Sequence, residues 1–161
     1  MLQQDIAQKL SNLDAFRGLS PDRIERIARG AERMLFKPGQ AMIRAGNTGE
    51  AAFLIIAGAA YVQPEDGDET SDDLPPGTLI GELAMLTEHT YAVTVLCRDQ
   101  VRAVRFPRSL LHAEMADDPE LAEHFVTKIA SRLTRIAIEL RRLDQVLAHS
   151  AEPTGSAAGA P

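Results

Sequence analysis

The residues best placed to do chemistry in this 161-residue chain lie between Gly77 and Leu86. Gly77-Thr78-Leu79-Ile80-Gly81-Glu82-Leu83-Ala84-Met85-Leu86 reads as a strand end running into a short helix at Gly81–Leu86. Such a turn points free backbone N–H groups at one spot and suits an anion. Gly81 lets a ligand come close to the backbone. Enzyme chemistry has no comparable foothold. His89, His112, His124 and His149 are scattered and form no two-His spacing with a third ligand, so neither a metal site nor a catalytic residue is assigned. His112 and His124 are expected on helix surfaces. No G-x-S-x-G or P-loop occurs. Cys97 ends an apolar run with Arg98 as the only adjacent cation, which predicts a buried, inert thiol.

The elements that must hold this turn follow from the pattern around it. Ile6, Leu10 and Leu13 are spaced as on a helix, and Ser20-Pro21-Asp22 reads as a helix start, with Ser20 able to cap and Pro21 in the first turn. From Arg33 to about Phe106, glycine and proline turns recur every 8–12 residues or so, the spacing of a jelly roll. Strands are expected at Gln40–Arg44, Ala52–Ala57, Ala59–Gln63, Val93–Cys97 and Val101–Phe106. Glu65–Asp73 holds six carboxylates in nine residues and is expected to be a solvated hairpin tip, or else a lure for a basic partner. A short helix is expected at Arg108–Met115. A long one follows from Pro119 to about Ala148, with Asp118 as its cap. Residues 1–148 then form one domain, and residues 149–161 a disordered tail.

The long helix carries a second signal. Ala122, Val126, Ile129, Leu133, Ile136, Leu140, Leu143 and Leu147 follow an unbroken 4-3 spacing, an a/d heptad stripe. A domain of this size cannot cover that stripe along its full length. Pairing with a second copy through Val126, Ile129, Leu133, Ile136, Leu140 and Leu143 is therefore expected, against the alternative of packing within the chain. A parallel pair would set Glu139 against Asp144 of its partner, which leaves a parallel dimer and a higher oligomer both open. The basic run Lys128, Arg132, Arg135, Arg141 and Arg142 reads as a solvated face, with a partner-docking strip as the alternative.

Composition bounds the rest. Lys and Arg number 17 against 23 Asp and Glu, and a net charge of −6 argues against a freestanding nucleic-acid binder. No apolar run reaches the roughly 18–20 residues that span a bilayer, and Met1-Leu2-Gln3-Gln4-Asp5 is not a signal-peptide start. A single cysteine excludes an intramolecular disulfide frame and a cysteine-cluster zinc site. A cytoplasmic protein without a membrane or nucleic-acid partner is expected. With no Trp and 4% aromatics, its core must be aliphatic.

Several segments, in order, resemble the cyclic-nucleotide-binding domain family. They are Leu13-Asp14-Ala15-Phe16-Arg17-Gly18-Leu19-Ser20, Phe36-Lys37-Pro38-Gly39-Gln40, Gly46-Asn47-Thr48-Gly49-Glu50 and Phe53-Leu54-Ile55-Ile56-Ala57-Gly58. Gly77–Leu86 looks like the family's phosphate-binding cassette. The resemblance covers about residues 10–148 and is nearest to effector domains of the catabolite-activator type. It implies an α+β fold, a β-roll with N-terminal helices and a long C-terminal helix. It also implies a ligand site at Gly81, Glu82, Leu83, Ala84, Tyr91 and Ala92, where Glu82 accepts the ribose hydroxyl of cyclic AMP or cyclic GMP; no cofactor is implied.

Two departures stand out. The family's phosphate-neutralising arginine aligns with Tyr91, and the hydroxyl residue that often follows aligns with Ala92. A tyrosine donates one hydrogen bond but cannot pair with an anion. The polar residues that reach the purine in catabolite-activator relatives align with Ile136 and Ala137, both apolar. His89 and Arg98 are the nearby cations able to replace the arginine; the alternative is a loop residue and a strand-end charge. Only 14 residues follow Leu147, too few for a helix-turn-helix, so the chain resembles an effector-and-dimer module without a DNA-binding output. Two functions follow: a sensor of a cyclic nucleotide or related small anion that signals through its dimer helix, or a ligand-free dimeric scaffold for an unidentified protein partner.

Overall fold

The computed structural model describes residues 2–64 and 72–151. Most of the acidic segment expected as a hairpin tip, and the tail from residue 152, lie outside them. The chain divides into two units, Met1–Glu123 and His124–Pro161. Among the described residues, no helix is long and apolar enough to cross a membrane.

The first unit opens with α1 (Leu2–Ser11) and α2 (Pro21–Gly30), separated by a 3-10 turn at Asp14–Phe16. Ile6 and Leu10, Phe16, and Ile24 with Ile27 are the buried faces of these three pieces. Pro21 sits at the start of α2, where a missing N–H does no harm. Ser20 is the N-cap residue, but its side chain makes no cap bond; its carbonyl accepts the N–H groups of Arg23 and Ile24.

Nine strands follow among the described residues: β1 (Glu32–Phe36), β2 (Ala41–Ile43), β3 (Thr48–Gly49), β4 (Ala51–Ala57), β5 (Ala60–Val62), β6 (Leu79–Ile80), β7 (His89–Thr90), β8 (Val95–Cys97) and β9 (Val101–Pro107). They pair antiparallel in three sheets, ordered β1-β9-β4-β6, β2-β8-β5 and β3-β7. The result is the α+β roll that the sequence predicts. Alternation along β4 and β9 puts Phe53, Ile55, Val101 and Ala103 in the inner cluster, with Phe36, Met42, Ile80, Tyr91 and Val95. Leu54, Val104 and Phe106, on the opposite face, are buried as well. Two buried faces explain why β4 reads as a continuous apolar run. Cys97 is buried, and burial pushes its thiol above the ordinary value.

After β9 come α3 (Arg108–Asp117) and α4 (Pro119–Ala151), which runs three residues past the expected end. Asp118 is the one extended residue between them. Its Oδ1 accepts the Leu121 N–H at 3.2 Å, the cap read from the sequence. Both its oxygens accept from Arg23 (Nε at 2.7 Å, Nη2 at 3.2 Å), and Oδ2 also accepts from Arg26 at 2.8 Å. One carboxylate thus ties α2 to the start of α4.

The hydrogen bond from Arg23, helped by the Leu121 N–H and Arg26, holds the Asp118 carboxyl at about 2, against an ordinary 3.8. As the pH falls, the unfolded chain takes up this proton first, so Asp118's contribution is complete above about pH 4 and fades toward pH 2. The thermal midpoint of the wild type should therefore fall more steeply between those values than that of Asp118→Asn. Parallel pH profiles for the two proteins would rule this out.

Candidate functional site

The cradle is built where β6 ends. Gly81 takes the left-handed conformation, φ +72°, and a 3-10 turn follows at Glu82–Met85 in place of the expected helix at Gly81–Leu86. The turn is closed by Ala84 N–H to the Gly81 carbonyl, 3.0 Å, and Leu86 N–H to the Leu83 carbonyl, 3.1 Å. Ala84 and Met85 are fully buried and anchor it. Gly81, Glu82 and Leu83 remain half-buried on its rim, so four of the expected site residues share one turn.

Tyr91 comes to this turn from another segment. Its N–H donates to the Asn47 carbonyl at 3.0 Å, and its own carbonyl accepts from Gly46 at 2.9 Å. The buried ring lies so close to Gly49 and Gly81 that a Cβ at either would stand 2.8 or 3.0 Å from its Cε1. The hydroxyl donates to the Ala51 carbonyl at 2.7 Å. Burial raises the phenol's pKa, so it stays a neutral donor. Ala92, next along, is exposed.

The two glycines are what admit the ring. A Cβ on Gly49 would also stand 2.7 Å from that of Ala84. Gly49→Ala should therefore destabilise the fold by about 1–3 kcal/mol, as overpacking does in a filled core. A denaturation midpoint equal to the wild type's would contradict this packing.

Of the two cations singled out as substitutes for the arginine, Arg98 has its side chain committed elsewhere. Arg98 donates to Asp73 at 2.5 Å and stacks over the Tyr61 ring at 4.4 Å. His89 is half-buried in β7, with its backbone paired to Gly49 of β3.

Sequence reasoning missed what holds the cradle from behind. Arg108 Nη1 donates to the carbonyls of Gly49 at 2.9 Å, Thr87 at 3.1 Å and Ala84 at 3.4 Å, while its backbone N–H donates to Glu50. One turn further along α3, His112 Nε2 donates to the Leu86 carbonyl at 2.8 Å from an exposed position. The first turns of α3 thus tether the C-terminal end of the cradle to β3. The acceptors are all main-chain, so residue types gave no sign of them.

In the second unit, every residue from Ser131 to Ser150 is exposed. Val126 is 65% exposed, Leu133 60%, Leu140 57% and Ile136 44%; Leu143 is exposed too, and Ile129 is half-buried.

The sequence profile of the cyclic nucleotide-binding domain matches residues 33–118. The chain belongs to the cyclic nucleotide-binding domain family. The match runs from within β1 through α3, and so includes the cradle, Tyr91 and Arg108. Among curated relatives of this cyclic nucleotide-binding domain is a CRP-like cAMP-activated global transcriptional regulator of Mycobacterium tuberculosis, 25% identical over 129 residues. That alignment takes in 78% of this chain and 58% of the regulator, so the chain spans under two thirds of that relative. Acetyltransferase Pat of Mycolicibacterium smegmatis is 32% identical over 97 residues, covering 59% of this chain and 29% of that enzyme. Among solved structures, the N-terminal domain of a Streptomyces coelicolor transcriptional regulator superposes with a TM-score of 0.73 at 18% identity, over 82% of this chain and 94% of that one. A cyclic nucleotide-binding-like protein from Brucella abortus gives 0.63 at 23% identity, over 70% and 98%. At these identities the structural likeness establishes the fold.

Proposed function

We propose that this cyclic nucleotide-binding domain is a self-associating regulatory module whose cradle is occupied by its own Tyr91, so that it holds its shape without a cyclic phosphate. The observation that carries this reading is the Tyr91 side chain: its ring rests against Gly49 and Gly81, and its hydroxyl is spent on Ala51. A cyclic phosphate arriving at Gly81–Ala84 meets an aromatic edge where the family offers a guanidinium. Output then passes through pairing of α4 with a second copy, an assembly that presents a scaffold to a protein partner. The net charge of −6 supports an output other than direct contact with DNA.

The test is calorimetric titration of the full chain with cyclic AMP and with cyclic GMP. No saturable heat is expected from either. Micromolar binding that Glu82→Ala removes would overturn the reading in favour of a sensor. One feature favours that second reading: the Gly81–Met85 turn keeps its closed geometry, with Glu82 half-buried on the rim where the family's ribose acceptor stands.

A further inference from the structure

Arg105 lies on the inner face of β9, with Glu32 of β1 opposite it on one side and Phe53 of β4 on the other. Strand alternation sets its side chain on the same face as Val101 and Ala103 of the inner cluster. It is 25% exposed, and its Nη1 donates to Glu32 Oε2 at 2.8 Å; that carboxylate is 54% exposed. A largely buried cation held by a largely solvated carboxylate is a pair whose anionic member can be exchanged.

Two open clefts meet at Arg105. One, of 290 Å³, is lined by Arg44, Asn47, Thr48, Glu50 and Tyr91 as well as Arg105. The other, of 380 Å³, is lined by Glu32, Glu50, Arg108, Ser109 and His112 as well as Arg105. Gly81–Ala84 line neither, so this is a site apart from the cradle, though Tyr91 borders the first cleft as well as the cradle. Three arginines against two glutamates give a net positive lining on a chain whose total is −6.

We propose that the clefts at Arg105 bind a small phosphate monoester that also carries a hydroxyl or ammonium group. The guanidinium fork of Arg105 fits two phosphate oxygens, and Arg44 adds a second charge in the same cleft. Asn47 and Thr48 supply neutral donors beside them. Glu50, which faces both clefts, accepts from the hydroxyl or ammonium; it also disfavours a bare anion. The cleft volumes stand at the low end for ligand sites and set the ligand's size. This site does not depend on whether the cradle takes a cyclic nucleotide.

The probes are glycerol 3-phosphate and phosphoethanolamine, with inorganic phosphate as comparator, titrated into the full chain and followed by thermal unfolding and calorimetry. A saturable rise in Tm is expected for the two esters, because a ligand that binds only the native state stabilises it. Inorganic phosphate should bind more weakly. Arg105→Gln should weaken binding by about tenfold or more, the loss of a charge-assisted pair. Glu32→Gln removes the competing carboxylate at an exposed position and should strengthen binding, which keeps the test alive if Arg105→Gln does not fold. The absence of a saturable shift overturns the proposal. So does binding unchanged or weakened by Glu32→Gln, or binding that survives Arg105→Gln but is lost in Glu82→Ala. Equal affinity for inorganic phosphate overturns the role of Glu50.

Discussion

Leu133→Glu is expected to turn an assembly into a monomer. In sedimentation or light scattering at micromolar concentration, the wild type should run as two or more copies and the variant as one. Leu133 is an a position at the middle of the stripe on α4, and 60% of it is exposed in the single chain. Its neighbours in the stripe, Ile136 and Leu140, are exposed to 44% and 57%. Fully burying a leucine or isoleucine contributes about 1.5–3 kcal/mol, and a two-fold pair counts each position twice. A glutamate there removes that contribution and sets a charge against its own symmetry mate. Folding should survive, because Leu133 is exposed rather than buried in the single chain. Arg141→Glu, off the stripe, supplies the control and should leave the assembly intact. A monomeric wild type would remove the proposed route of output. The light-scattering mass also separates a dimer from a higher oligomer. That distinction matters because Ile138 and Val146, outside the stripe, are 48% and 63% exposed.

Tyr91→Arg is expected to confer cyclic AMP binding, where the proposed reading expects none of the wild type. Truncating one partner of a buried charge pair typically costs about 2–5 kcal/mol, so supplying the missing guanidinium should strengthen binding by roughly 30- to 4000-fold. The rest of the turn is already in place, from the left-handed Gly81 to the anchored Ala84 and the tether from Arg108. The substitution should also lower the unliganded Tm. It removes the hydroxyl bond to Ala51 and leaves a cation where a neutral ring was buried. Cyclic AMP should then restore the lost stability in the variant and do nothing for the wild type. A variant with a lowered Tm and no response to cyclic AMP would show that Tyr91 is not what keeps the ligand out.

Much of this architecture can be read from residue order, for reasons that differ by element. The starts of α2 and α4 were legible because proline and aspartate act locally, through a missing N–H and a side-chain cap. β9 was legible because Val101, Ala103, Val104 and Phe106 recur between Arg102 and Arg105 with no turn residue among them. By contrast, β3, β6 and β7 span two residues each, too few for any period to show. β1, Glu32–Phe36, is exposed along much of its length, and only Met34 and Phe36 mark its inner face. At the site, the displaced arginine could be located by alignment, but not the way Tyr91 fills the space, which depends on Gly49 arriving from a distant segment. Arg108 and Arg105 were illegible for a related reason. One binds carbonyls, which every residue has, and the other looks like any polar residue in a strand until the sheet closes around it.

The burial of Cys97 has a practical consequence. It sits in the central strand of β2-β8-β5, and it is the chain's only thiol. A thiol-reactive dye should ignore the native protein and label it only when the roll opens, so the labelling rate is a built-in clock for that event. Separation of the proposed α4 pair would leave the dye idle, which lets a single reagent tell dissociation from unfolding.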